Sequence, residues 1–287
     1  MNKLQSISLL TAGMCLLSIS TVAQQQLKLG IEREMMNIRI NQMTEATIGI
    51  LKTNNFLSPA AALAQLQLMA DSIVGVSFLK PYKKAMSKPD IYKRLKQSTV
   101  VFATASTHGT GYIIDASGII VTNWHIMGSY ADTANHNQVM LVTDFAGKVY
   151  PVVKILGGSK INDLVIIKID VGGDKLVPLP LGKQMEEGDD VYILGHPGEM
   201  PYYFSAGIVN RVLIRNTKEH TAQEDYEMFV SAEYGAGSSG SPVVDKYCNL
   251  VATVSAARAL YGEKDNPQMV YRLTIPTIAL KQLIKTK

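Results

Sequence analysis

The chain has 287 residues, of which 47% are hydrophobic and 18% charged, with a net charge of +4. This is globular rather than disordered composition, with enough apolar material for a full core. The length lies between one large domain and two ordinary ones, and the mild charge names no partner by itself.

The first 23 residues read as a signal peptide. Lys3 supplies the positive start, Leu9 to Val22 carries no charge, and Thr21-Val22-Ala23 offers small residues before the polar Gln24-Gln25-Gln26 run. The apolar stretch is short for a membrane span, and the expectation is a cleaved, exported chain, secreted or periplasmic, with no stable span afterwards. An uncleaved N-terminal anchor is the alternative. Cys15 falls inside this segment behind Met14, which is too large for a lipoprotein-type cleavage site, and only Cys248 remains in the mature chain. No intramolecular disulfide is then possible, and Cys248 reads as a small buried hydrophobe.

Residues 24–97 read as a helical extension. Ile31 to Leu51 is one helix, ended by Thr53-Asn54-Asn55. Ser58-Pro59 is an N-cap followed by proline at the first helical position, where the missing N–H costs nothing. Leu63, Leu66, Leu68, Met69, Ile73 and Val76 then recur at helical spacing. Pro81 and Pro89 break the pattern before a short helix over Asp90–Gln97. Seven basic side chains fall within Lys80–Lys96 against the single acid Asp90. With no RNA-binding motif or zinc-finger spacing beside it, this run reads as a solvated basic face rather than a nucleic-acid site. The helices are candidates for oligomerisation.

From Ser98 the texture changes to short β-branched runs separated by Gly, Asp and Asn turns. Strands are expected at Thr99–Thr104, Gly111–Ile114, Ile119–Thr122, Val139–Thr143, Leu164–Ile169, Val191–Leu194, Ser205–Ile214, Met228–Ser231, Val243–Val244, Leu250–Ser255 and Met269–Ile275. Such spacing indicates an all-β sandwich or a pair of barrels and argues against a parallel α/β sheet. Pro276–Lys287 reads as a terminal helix.

Chemistry concentrates in Gly235-Ala236-Gly237-Ser238-Ser239-Gly240-Ser241-Pro242, a small-residue run between apolar strands. A nucleophilic serine needs its hydroxyl on a tight turn and backbone N–H groups aimed at the developing oxyanion. With Ser239 as nucleophile, the amides of Gly237 and Ser239 are the natural donors; the plainer reading is a flexible Gly/Ser loop. His108, His125, His136, His196 and His220 all precede Ser239, which excludes the α/β-hydrolase order. His125, at the end of the Gly118–Ile126 strand running into a turn, is the expected general base. His196, in Gly195-His196-Pro197-Gly198, reads as a structural turn histidine. No histidine pair has metal-site spacing with a third ligand, so no metal and no cofactor are expected. Asp163, entering the apolar strand Leu164–Ile169, is the candidate to orient the base, with Asp144 and Asp170 as competitors.

Three segments carry a resemblance. Thr122-Asn123-Trp124-His125-Ile126, Asn162-Asp163-Leu164-Val165-Ile166 and Gly237-Ser238-Ser239-Gly240-Ser241-Pro242 resemble, in order, the histidine, aspartate and serine motifs of trypsin-like peptidases of the HtrA (Deg) and glutamyl-endopeptidase type. The intervals, 38 residues from His125 to Asp163 and 76 from there to Ser239, follow the same order. His108–Ile114, Gly195–Gly198, Ser205–Val209 and Tyr271–Pro276 match the accompanying glycine segment, turn and strands, so the resemblance covers Ser98 to Lys287.

The resemblance implies two six-stranded antiparallel β-barrels of the chymotrypsin type behind the helical extension. It implies a serine endopeptidase acting on proteins or peptides through His125, Asp163 and Ser239. Ser255-Ala256-Ala257 should then line the specificity pocket, with Glu233 near its base, where a buried acid would favour Lys or Arg and a solvated one would not. Ser238 stands where the family often has Asn and digestive trypsins have Asp, so activation by a freed N-terminus is not expected. No PDZ-like domain is expected after Ile275. Two other readings stay open: a catalytically silent homologue acting as a binding or scaffold protein, and an inhibitory pro-region in Leu27–Gln97.

Overall fold

The computed structural model describes residues 46–104, 108–132, 138–198, 200–215, 224–261 and 266–286. The expected signal peptide, the first part of the Ile31–Leu51 helix, His136 and His220 lie outside the described residues. Residues 47–287 form one contact unit.

In chain order, residues 46–53 are helical (α1), followed by α2 (Pro59–Leu68) and β1 (Val74–Val76). α3 (Lys88–Ser98) leads directly into β2 (Thr99–Ala103), β3 (His108–Asp115) and β4 (Ile119–Thr122). α4 (Trp124–Ala131) precedes β5 (Leu141–Thr143), β6 (Val149–Ser159) and β7 (Leu164–Ile169). The second half holds β8 (Asp190–Gly195), β9 (Tyr203–Arg215), β10 (Asp225–Val230), β11 (Pro242–Val244), β12 (Leu250–Tyr261) and β13 (Pro267–Pro276). α5 (Thr277–Gln282) and β14 (Ile284–Thr286) follow.

β2-β3-β4-β7-β6-β5 close into one barrel and β10-β13-β12-β11-β8-β9 into a second, with every pairing antiparallel. The expected architecture of two six-stranded barrels is therefore observed. Closure leaves no free strand edge in either barrel. The nearly unbroken apolar runs have a geometric cause, because both faces of these strands are buried. Val165, Ile167 and Ile169 of β7 point into the first barrel's core, while Leu164 and Ile166 face a separate cluster between the barrels. Val191 and Ile193 of β8 fill the second barrel, and Tyr192 and Leu194 turn back to the same shared cluster. Alternation of side chains along a strand thus sorts residues between two apolar compartments rather than between core and water.

The extension is only partly helical, and it is built into both barrels. Ser58 accepts from Ala61 N–H at 3.3 Å and caps α2, which ends at Leu68. The helical spacing continued to Val76, but Val74–Val76 is instead a strand, paired in parallel with β14 in a two-stranded sheet. The terminal helix accordingly stops at Gln282. Leu57, Ala62 and Leu66 enter the first barrel's core beside Ile126, Met127 and Tyr130 of α4. Val74, Val76, Ile91 and Leu95 enter the shared cluster beside Val244, Leu250 and Leu280. Between β1 and α3 the chain is in neither helix nor strand, and Asn249 binds the Tyr82 peptide at both ends, accepting from its N–H (2.7 Å) and donating to its carbonyl (3.0 Å). Lys80, Lys83, Lys84, Lys88 and Lys93 are exposed, as a solvated basic face requires. Lys96 instead lies 4.0 Å from the centre of the Phe145 ring.

Candidate active site

His125 sits in the first turn of α4 rather than at a strand end, because β4 stops at Thr122 and Asn123 starts the helix. Asp163 occupies the tight turn between β6 and β7 with φ +48, a left-handed conformation that Asp adopts more easily than bulkier residues. That turn aims its carboxylate at the helix. Oδ1 accepts the His125 backbone N–H at 2.9 Å, and Oδ2 lies 2.8 Å from His125 Nδ1. A carboxylate only accepts, so the ring carries its proton on Nδ1 and leaves Nε2 as a basic lone pair. The Asp163 carbonyl is equally occupied, accepting from Trp124 N–H (3.1 Å) and Asn123 Nδ2 (2.9 Å).

Ser239 lies in the turn between β10 and β11, on the second barrel. Its Oγ donates to the Ser255 carbonyl at 3.1 Å rather than to the His125 ring. Ser255, on β12, donates its own hydroxyl to Asp163 Oδ2 at 2.8 Å. The structure therefore brings His125, Asp163, Ser255 and Ser239 into one hydrogen-bonded chain. Ser255 was expected only as a pocket wall.

Two further residues join the barrels around the site, Thr110 at the serine turn and Asn162 at the start of β10, and neither was singled out in the sequence. Thr110, buried on β3 of the first barrel, donates its N–H to Ser239 O (2.9 Å) and its hydroxyl to Gly237 O (2.8 Å). Asn162, also buried, donates to Glu224 O (2.9 Å) and accepts from Tyr226 N–H (3.1 Å), which ties the residue before Asp163 to the second barrel. With its carbonyl held by Thr110, Gly237 takes φ +94, and a Cβ there would lie 2.4 Å from His196 O and from His108 Nε2. Only glycine fits. Among the described residues the Gly237 and Ser239 amides donate to no backbone carbonyl outside the strands and helices.

His196 is buried and accepts Tyr202 N–H on Nδ1 at 3.1 Å, and Gly198 N–H supports Ala236 O at 2.8 Å, so this turn is structural as expected. Asp144 accepts Lys148 N–H and Asp170 accepts from Asn55, which removes both as partners of His125. Glu233 is not a buried acid. Its side chain is 66% exposed and is ion-paired with Arg272, whose side chain is only 18% exposed. Cys248 is fully buried, and burial pushes its thiol up to about 12.

A family model described as a trypsin-like peptidase domain matches residues 109–252, half of the chain. The chain belongs to that family. Its relatives include "Protease Do-like 5, chloroplastic" of Arabidopsis thaliana, 24% identical over 175 residues that cover 59% of this chain and 54% of the relative. "Putative serine protease HhoA" of Synechocystis sp. is 28% identical over 155 residues, 53% of this chain and 37% of the relative. This trypsin-like peptidase domain thus spans about half of the former's length and less of the latter's. Among solved structures, "Crystal structure of Deg5" superposes with TM-score 0.55 at 22% identity, covering 68% of this chain and 90% of that one. "HtrA-type protease AlgW with tripeptide" gives 0.52 at 24%, covering 68% and 62%. These likenesses establish the fold, and the matched relatives are proteases of the HtrA/Deg type.

Proposed function

We propose that the chain is a serine endopeptidase in which Ser239 is the nucleophile, His125 the general base and Asp163 the residue that orients it. The reading rests above all on the Asp163 carboxylate, which accepts the His125 backbone N–H and faces His125 Nδ1 at 2.8 Å. Rotation of the Ser239 hydroxyl from Ser255 O toward His125 Nε2 readies the centre, and apo hydroxyls commonly sit off the reactive geometry. His125 takes the proton as Ser239 Oγ attacks a peptide carbonyl. Asp163 stabilises the imidazolium, and the Gly237 and Ser239 amides receive the oxyanion. His125 then protonates the leaving amine, and water repeats the sequence on the acyl-enzyme.

The test is labelling of Ser239 by a fluorophosphonate probe. Labelling of the wild type and its loss in Ser239→Ala support the assignment, and persistent labelling of the variant overturns it. The Ser239-to-Ser255 hydrogen bond gives a second reading its one support, a silent homologue serving as a binding protein. Folded wild-type protein that takes up no probe would favour that reading.

Cleavage after Ala23 and export to the periplasm or medium remain the reading of residues 1–23, checked by the N-terminal mass of the protein recovered from an expressing cell. Among the described residues no helix is long and apolar enough to cross a membrane. The pairing of residues 57–98 with both barrels makes an inhibitory pro-region the poorer account of the extension, and oligomerisation through it is checked by light scattering.

A further inference from the structure

We propose that Arg272 decides the charge selectivity of the substrate pocket, by neutralising Glu233 so that the pocket rejects Lys and Arg side chains and admits uncharged ones. The inference rests on the peptidase reading above and adds a residue and a substrate class to it.

The placement follows from β12 and β13. Ser255 O receives the Ser239 hydroxyl, and the strand continues through half-buried Ala256 to exposed Ala257. Ala257 pairs in register with Arg272. Two strand residues span about 7 Å, the reach of an extended lysine or arginine side chain. A long side chain laid along this wall from a carbonyl at Ser239 therefore ends at Arg272. Tyr234 fixes the depth of the wall, its hydroxyl donating to Ala256 O (3.0 Å) and Leu273 O (2.7 Å), and the Arg272 guanidinium lies 5.5 Å from the centre of its ring.

The two partners are unequal. Arg272 is packed on the strand against Tyr234, while Glu233 reaches it from an exposed turn. The guanidinium is thus a fixed charge and the carboxylate its mobile counter-ion. Arg272 Nε is buried with no hydrogen-bond partner, so the arginine retains an unused donor that Glu233 does not satisfy. A groove of 520 Å³, lined by Phe229, Glu233, Met269, Tyr271 and Arg272, opens at the pair, and Arg211 brings a second guanidinium to it. Arg211 is itself ion-paired with Glu187 at 3.7 Å, so the charge that meets an incoming side chain is that of Arg272. An incoming Lys or Arg side chain must displace a guanidinium already seated on Glu233 and meet like charge as it does so. A buried Glu233 would have favoured basic substrates; exposed and ion-paired with Arg272, it does not.

The test uses the full chain as wild type, Arg272→Met and Glu233→Gln, each assayed on an internally quenched peptide library varied at the residue before the scissile bond. Benzamidine binding is measured by calorimetry and Ser239 labelling by fluorophosphonate. Arg272→Met keeps the packing volume and frees Glu233, so cleavage after Lys or Arg should rise about tenfold and benzamidine should bind where it does not bind the wild type. Glu233→Gln, on an exposed side chain that tolerates change, should shift preference toward Asp or Glu. Wild-type preference for Lys or Arg over uncharged residues, or an Arg272→Met protein that labels at Ser239 with an unchanged profile and no benzamidine binding, overturns the inference. Gain of benzamidine binding without labelling of any form would instead sink the peptidase reading and leave the role of Arg272 standing.

Discussion

Ser255 donates its hydroxyl to Asp163 Oδ2 at 2.8 Å, from a strand of one barrel to a turn of the other. Its carbonyl meanwhile holds the Ser239 hydroxyl. Ser255→Ala removes one of the donors to the carboxylate and leaves the two from His125 in place. The expected result is a fall in kcat of about tenfold with KM for a small ester unchanged, because the contact serves the charged state of the base. Steady-state kinetics decide it, and an unaltered kcat would show that the His125 contacts suffice.

Asp163→Asn separates charge from shape. Asparagine tolerates the left-handed conformation at this turn, so the thermal midpoint should stay near that of the wild type. An amide facing Nδ1 stabilises the wrong tautomer, and kcat should fall by about 10⁴-fold. Calorimetry and kinetics on the same preparation distinguish this from simple unfolding.

Gly237→Ala attacks the oxyanion site without touching a side chain of the triad. The added Cβ has no space beside His196 O, and the backbone at φ +94 is strained for alanine. The turn must shift, moving the Gly237 amide, and loss of one such donor costs roughly 10²–10³ in rate. The rate of phosphonate labelling reads this directly.

The extension should prove inseparable from the peptidase domain. Leu66 and Leu95 are buried in two different clusters, and truncation of either to alanine should cost roughly 2–5 kcal/mol in denaturant unfolding. A chain lacking residues 47–87 that still folds and labels normally would contradict this.

Cys248 offers a readout of pH. The folded thiol keeps its proton up to about 12, while an unfolded one ionises near 9. The unfolded state therefore binds fewer protons between these values, and stability should fall as pH rises through that interval. At pH 8 the native protein should resist iodoacetamide until denaturant is added.

Much of this was legible in the residues. The strands were recognisable by β-branched runs and His125 by the strand that leads to it, whereas Asp163 read locally as a turn residue and was drawn out by its place between base and nucleophile and by the resemblance. β6 was missed because Pro151 and the Gly157-Gly158 pair interrupt its β-branched run; at Gly157 the missing side chain makes room for the Ser72 carbonyl, which a Cβ would approach to 2.5 Å. β1 and β14 were hidden because three-residue strands have no period to detect, and they pair across nearly the whole chain. Thr110, Asn162 and Arg272 escaped for a common reason. Each acts on a partner far away in sequence, and nothing in its own neighbourhood announces that partner.

The division of the centre between the barrels has a consequence for the cell that makes this protein. A nascent or damaged chain with only its first barrel formed holds the acid–base pair with no serine to activate. One with only the second holds a serine with no base and without the Thr110 clamp on its turn. On the proposed assignment, activity therefore requires the two halves to be docked, because neither holds the whole centre.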